Sequence, residues 1–166
     1  MHATHSRRFH RTDKRTWSLL DDNGTVLGSL VKPKWFSSKR ELVVGGGLYE
    51  VKSLKRWSSD QAVFFGGFPV LTADMAFDRI RIAYPGKGDQ AYIVRRKNLF
   101  SKEYHVLDLH GVVQASLRTR MNWSDFEREP ELLTAQGEAM DPMLLLFVVH
   151  VIAVQYQNTM GVAAGA

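Results

Sequence analysis

The chain contains no cysteine. Disulfides, thiolate nucleophiles and cysteine-ligated zinc are therefore excluded, which fits a reducing compartment; the expected location is the cytoplasm, in solution or peripheral to a membrane. A membrane-crossing helix needs roughly 20 apolar residues. The longest apolar stretch here, Met143–Val154, is twelve residues and includes His150. No Lys or Arg follows Arg128, so that stretch has no basic anchor on its C-terminal side. The opening MHATHSRRFHRTDKR has no apolar core of signal-peptide length. Neither a G-x-S-x-G elbow nor an H-E-x-x-H pair is present. The glycine groups Gly45–Gly47, Gly66-Gly67 and Gly86/Gly88 are followed by neither a helix nor a Lys-Ser/Thr, and read as hairpin turns rather than phosphate loops. No catalytic constellation emerges, and no cofactor or resident metal is expected.

What is present is organised around DPMLLLFVVHVIAVQYQN, Asp141–Asn158. Asp141 can cap a helix and Pro142 suits its first position. Every side chain from Met143 to Val154 is apolar except His150, so a helix here has no polar face and must be enclosed. The β-branched Val148, Val149, Val151, Ile152 and Val154 would also suit a buried strand. Strands usually run about 4–8 residues, so length favours a helix over 142–158, followed by a loose tail at 159–166. His150 reads as a core histidine with its hydrogen bonds satisfied.

The preceding chain reads as short strands. Residues 1–14 form a flexible lead-in with a strand around Arg8–Thr12. Asp-Asn-Gly in WSLLDDNGTVLGSL, Trp17–Leu30, is a hairpin signal, because Asn and Gly accept the positive φ of a tight turn. Further strands fall near Glu41–Val44, on both sides of Gly66-Gly67, over Arg79–Tyr84, and after Pro85–Asp89. The second half then repeats the first. YHVLDLHGVVQASL, Tyr104–Leu117, aligns without gaps on Trp17–Leu30, matching Trp17 with Tyr104, Asp21 with Asp108 and Gly24 with Gly111. One further residue of slip brings WFSSKREL, from Trp35, onto WSDFERE, from Trp123. In each half the Asp caps the turn and the Gly supplies its positive φ.

About ten to twelve short strands before one buried helix imply a mainly β single domain, with a two-fold internal repeat. Its expected form is a closed antiparallel barrel around a central C-terminal helix, since closure removes exposed sheet edges. The W-x-L-x-D-x-x-G hairpins, the duplicated half, the W-x-S-x-x-R element and the final apolar helix resemble the tubby C-terminal-like superfamily, which includes LURP-one-related proteins and phospholipid scramblases. The resemblance covers roughly Arg15–Asn158. It implies a 12-stranded barrel threaded by a hydrophobic helix, and a non-enzymatic protein whose partner is an anionic phospholipid.

Charge is unevenly spread. Residues 1–120 carry all but one of the 22 Lys and Arg, whereas residues 121–166 are acidic. A basic body favours anionic partners. If Glu103 faces both Arg118 and Lys97, then Lys97, Lys102, Arg118 and Arg120 gather at one barrel end. The same register in the first repeat gathers Lys14, Arg15, Lys32 and Lys34. These eight residues are the candidate phosphate- or lipid-headgroup-binding site. The alternative is a structural or protein-interaction domain, and the third reading, nucleic-acid binding, lacks regular spacing between Trp35, Trp57 or Trp123 and the basic clusters. His2, His5 and His10 lie at a terminus without fixed geometry for a metal. The acidic run Asp125, Glu127, Glu129, Glu131 and Glu138 lacks the calcium-loop pattern and reads as a solvated strand face. In AVFFGGFPVL, alternation sends Phe64, Phe65 and Phe68 into the barrel core; the alternative is an apolar tip that dips into a bilayer or a partner.

Overall fold

The structure, a computed structural model, describes residues 7–33, 39–87, 90–98, 101–119, 130–133 and 140–164. Twelve antiparallel strands follow one another in chain order through a single sheet. They are β1 (Arg8–Asp13), β2 (Thr16–Leu20), β3 (Val26–Val31), β4 (Arg40–Val44), β5 (Gly47–Ser53), β6 (Gln61–Phe65), β7 (Phe68–Met75), β8 (Ile80–Ala83), β9 (Ala91–Arg96), β10 (Glu103–Leu107), β11 (Val113–Arg118) and β12 (Glu131–Leu132). The sheet curls into a nearly closed barrel: β1 lies alongside β12, and among the described residues no ladder joins them. At this seam Arg7 Nη1 donates to the carbonyl of Met140 at 2.6 Å.

Closure follows from the side-chain alternation. Cross-strand pairs on the inner face run around the wall, with Trp17 opposite Leu30, Leu30 opposite Leu42, and Val51 opposite Val63. The ring continues with Ala73 opposite Ile82, Val94 opposite Val106, and Tyr104 opposite Leu117. All of these side chains are buried. They enclose α1 (Pro142–Ala164), on which every residue from Leu144 to Ala153 is at most 1% exposed. A helix surrounded on all sides needs no polar stripe, so its unbroken apolar run is a direct consequence of its position. Asp141 caps it as expected, its Oδ1 accepting the Met143 N–H at 3.0 Å. The helix runs to Ala164 rather than stopping at Asn158. The polar residues Gln157, Asn158 and Thr159 interrupt the apolar run, but the helical backbone continues through them. The strand expected around Arg8–Thr12 is β1, Arg8–Asp13.

The internal repeat holds to the level of individual hydrogen bonds. Asp21 Oδ1 accepts the N–H groups of Asn23 and Thr25 at 2.9 and 2.8 Å, and Asp108 Oδ1 accepts those of His110 and Val112, both at 2.9 Å. Gly24 and Gly111 sit at φ of 80° and 82°, where a Cβ would strain the turn. Both hairpins carry the same irregularity just before the capping Asp, at Leu20 and at Leu107. On the sheet, Thr12, Ser18 and Ser29 join their hydroxyls across β1, β2 and β3 at 3.0 and 2.8 Å.

The hairpin aromatics depart from the core expectation. Phe65 is 52% exposed and Phe68 75%, and they face each other across the Gly66-Gly67 turn. The strands overshoot the mouth, so an inward-pointing side chain at their tip meets no opposite wall. Phe65 rests instead on Tyr49, with ring centroids 5.0 Å apart. Half-buried Phe64 lies 5.1 Å beneath the Lys52 ammonium. The elements around Trp35 and Trp123, and the acidic residues Asp125, Glu127, Glu129 and Glu138, lie outside the described residues.

Candidate functional site at the basic barrel end

In an up-and-down barrel every second connection emerges at the same end. The β1–β2, β3–β4, β5–β6, β7–β8, β9–β10 and β11–β12 loops share one end, and the other five share the opposite end. This simple rule separates the charges. At the first end the described loop residues include Lys14, Arg15, Lys32, Lys39, Lys55, Arg56, Arg79, Lys97 and Lys102, against Asp60 and Asp78. At the opposite end they include Asp21, Asp22 and Asp108 against Lys87, and Asp141 joins them at the helix start. Gln155 Nε2 donates to the Ala76 carbonyl in the β7–β8 loop at 2.8 Å, so the C-terminal part of α1 emerges at the basic end.

Most of the expected site residues take the predicted register. Glu103 lies opposite Arg118, and the Lys97 N–H donates to the Glu103 carbonyl at 2.9 Å. Lys102 shares this loop, and Arg120 lies outside the described residues. Acids nevertheless engage this group. Arg118 Nη2 is 2.8 Å from Glu131 Oε2, a contact that holds the guanidinium pKa above its ordinary value. Lys97 Nζ is 3.7 Å from Glu103, whose carboxylate also meets His105 Nε2 at 2.8 Å. Those partners, His105 first, hold the Glu103 carboxyl below the ordinary range.

The first-repeat group is different. The Lys32 N–H donates to the Arg15 carbonyl at 2.8 Å, and Arg15 Nη1 donates to the Pro33 carbonyl at 2.7 Å, which fixes both side-chain origins on neighbouring loops. Lys14 is exposed in the same turn; Lys34 lies outside the described residues. Arg40, paired with inward-facing Val51, points into the barrel and is only 5% exposed. Burial lowers its guanidinium to about 10. Burial, and then repulsion from Arg40, holds the Lys32 ammonium below the ordinary lysine value.

Beneath this end the barrel interior carries a polar layer. His150 on α1 is fully buried, and its Nε2 lies 2.9 Å from Gln61 Oε1. Gln61 donates its amide to the Ser59 carbonyl at 3.1 Å and to Ser53 Oγ at 3.4 Å, leaving Oε1 to accept the histidine proton. Among the described residues His150 Nδ1 has no partner. Burial, and then the Arg40 charge, push the imidazole pKa well below its ordinary value. The ring is neutral and sealed from solvent, so it acts in packing rather than in proton transfer.

Among the described residues, the basic end also carries the two most exposed large apolar side chains. Trp57 in the β5–β6 loop is 91% exposed and Phe77 in the β7–β8 loop 88%. Fully burying a side chain of Phe size is worth about 1.5–3 kcal/mol, so the fold forgoes that stabilisation at each position. From sequence, Trp57 was considered only as a nucleic-acid-stacking aromatic, and Phe77, Lys39, Lys55, Arg56 and Arg79 were not singled out. The available signal was the even spacing of the hairpins, which assigns alternate loops to one end.

A concavity of about 290 Å³ lies at the opposite end and is lined by Tyr84, Lys87, Gln90, Tyr92, Gln114, Met140 and Asp141. The Tyr84 hydroxyl donates to Asp141 Oδ2 at 3.4 Å, and burial together with that carboxylate raises the phenol pKa. Among the described residues no cluster of three or more His, Asp or Glu is arranged to hold a metal, and no helix is long and apolar enough to cross a membrane.

The fold and site together define a helix-filled antiparallel barrel with one strongly cationic end. Compared with known proteins, the chain matches no family model, no curated protein and no solved structure.

Proposed function

We propose that the protein is a non-enzymatic, tubby-like binding module that docks its basic barrel end onto anionic phospholipid headgroups. The observation that carries this reading is the sorting of cation-bearing loops to one end of the barrel. Scattered surface cations keep a protein soluble, but a ring of them on one face presents a single positive surface to a planar array of phosphates. The closeness of the Lys32 and Arg15 backbones, joined by a 2.8 Å hydrogen bond, supports the same reading by placing two cation-bearing loops side by side. The barrel threaded by a C-terminal helix agrees with the tubby-like resemblance. Arg118 and Lys97 contribute less than their register suggested, because Glu131 and Glu103 already engage them. The weight falls on Lys14, Arg15 and Lys32.

Vesicle flotation tests the reading. The wild type is expected to float with phosphatidylcholine vesicles containing phosphatidylserine, and not with phosphatidylcholine alone. Each Lys or Arg near an anionic surface contributes about 1 kcal/mol, so Lys14→Glu with Arg15→Glu and Lys32→Glu weakens binding by roughly 100-fold or more. Arg118→Glu is expected to cost less. A wild type that ignores anionic vesicles at low salt overturns the proposal. Displacement from vesicles by single-stranded DNA reassigns the surface to nucleic acid.

A further inference from the structure

We infer that Trp57 and Phe77 form a paired wedge that enters the bilayer interface when the basic end docks. This inference rests on the headgroup reading above and extends it from electrostatic adhesion to insertion in a fixed orientation.

Three observations converge. The two side chains project from adjacent loops at one end, because β6 and β7 are hydrogen-bonded neighbours with Gln61 opposite Ala73. Their loops are held in place: Asp60 Oδ1 accepts the Met75 N–H at 2.8 Å, tying the β5–β6 loop to the end of β7. Within the loops, the Leu54 N–H meets the Asp60 carbonyl at 2.8 Å, and the Ala76 N–H meets the Arg79 carbonyl at 3.0 Å. Gln155 anchors Ala76 to the central helix. The exposure of the aromatics is thus imposed by a rigid support, and little ordering cost remains on binding. Finally, cations flank both rings. Arg56 lies with its guanidinium carbon 5.3 Å from the Trp57 ring centroid, and Arg79 follows Phe77 by two residues. Large apolar side chains rimmed by polar charge mark an interaction surface. An indole with a cation beside it suits the boundary where headgroup phosphates meet acyl chains, since the ring is apolar and its N–H is a donor. Base stacking on nucleic acid is the competing use of such rings.

Electrostatic docking fades with salt, whereas apolar insertion does not. Flotation with phosphatidylserine-containing vesicles at low and physiological salt therefore separates the contributions. Trp57→Ser with Phe77→Ser is expected to leave the melting temperature unchanged, because neither side chain packs into the core. It should lose roughly 100-fold in vesicle affinity at physiological salt, about tenfold for each side chain removed from the interface. Brominated-acyl lipids should quench a fluorescence component of the wild type that is missing in Trp57→Phe. Failure of the wild type to float at low salt would sink the headgroup reading itself. Flotation that is equal in wild type and the double variant, with no bromolipid quenching assignable to Trp57, overturns the wedge and leaves headgroup docking in place. Displacement of the wild type by single-stranded DNA, with Trp57 quenched by the bases, assigns the wedge to stacking instead.

Discussion

Protonation of His150 offers the sharpest test of the barrel interior. Its Nε2 is committed to Gln61, its Nδ1 has no partner among the described residues, and the Arg40 guanidinium faces it from β4. The folded state therefore keeps the ring neutral well below the value of 6.5 that the unfolded chain shows. A group with a depressed folded pKa stabilises the protein fully above the unfolded value and loses that contribution as the pH falls below it. The unfolded state binds the extra proton there, so stability declines by about 1.4 kcal/mol per pH unit. From about pH 7.5 to about pH 5 the loss assignable to His150 is at most about 2 kcal/mol, the limit for a ring that stays neutral throughout. For a protein of this size, that is a fall of roughly 4–8 °C in Tm. Other groups also titrate, Glu103 and Asp13 among them, since their carboxyl values are lowered in the folded state. A double difference removes them: urea melts of the wild type and His150→Leu, each at both pH values. His150→Leu should be destabilised by about 1–3 kcal/mol at neutral pH, because Gln61 Oε1 is left without its donor. Its acid-induced loss should nevertheless be smaller than that of the wild type by up to about 2 kcal/mol. Equal acid losses in the two proteins would refute a sealed, neutral His150.

Two further predictions address the frame. Val149→Asp places a carboxylate where exposure is 0%, at a cost of several kcal/mol, and is expected to abolish cooperative folding; a soluble variant with a sharp urea transition would show that the helix is not enclosed. Asp21→Ala and Asp108→Ala each free two turn N–H groups to solvent and should each cost about 1 kcal/mol by denaturant unfolding, roughly additively in the double variant. Markedly unequal costs would mean that the duplicated turns are not energetically equivalent.

The two duplicated hairpins were legible because Asp and Gly in those positions have a local stereochemical job, independent of the remaining fold. The helix was legible because enclosure on all sides leaves an unbroken apolar run. Its extension to Ala164 was not, since the polar residues Gln155, Gln157, Asn158 and Thr159 break the apolar run without ending the helical backbone. Phe65 and Phe68 misled for a related reason: alternation gives the direction of a side chain but not the height at which the barrel stops. Arg40 shows the converse, an ordinary surface residue by type that the pleat turns inward opposite Val51. The charge sorting needed topology. The spacing of Lys32, Arg56 and Arg79 is irregular along the chain, and it becomes a ring only when alternate loops are brought to one end.

The position of the helix has a consequence for how the protein is made. All twelve strands precede α1 in the chain, yet α1 is what their inner faces pack against. Synthesis proceeds at roughly 5–20 residues per second, so the ribosome needs about 6–25 s to travel from β2 to the helix. Throughout that interval Leu19, Leu30, Leu42, Val51 and Val63, all fully buried in the finished protein, have no central partner. The seam between β1 and β12 then matters kinetically: with no ladder joining them among the described residues, the curled sheet can open there to receive a late-arriving helix and close behind it. A nascent chain that stalls before Asp141 presents an apolar trough with two free edges, a shape that invites chaperone capture or aggregation.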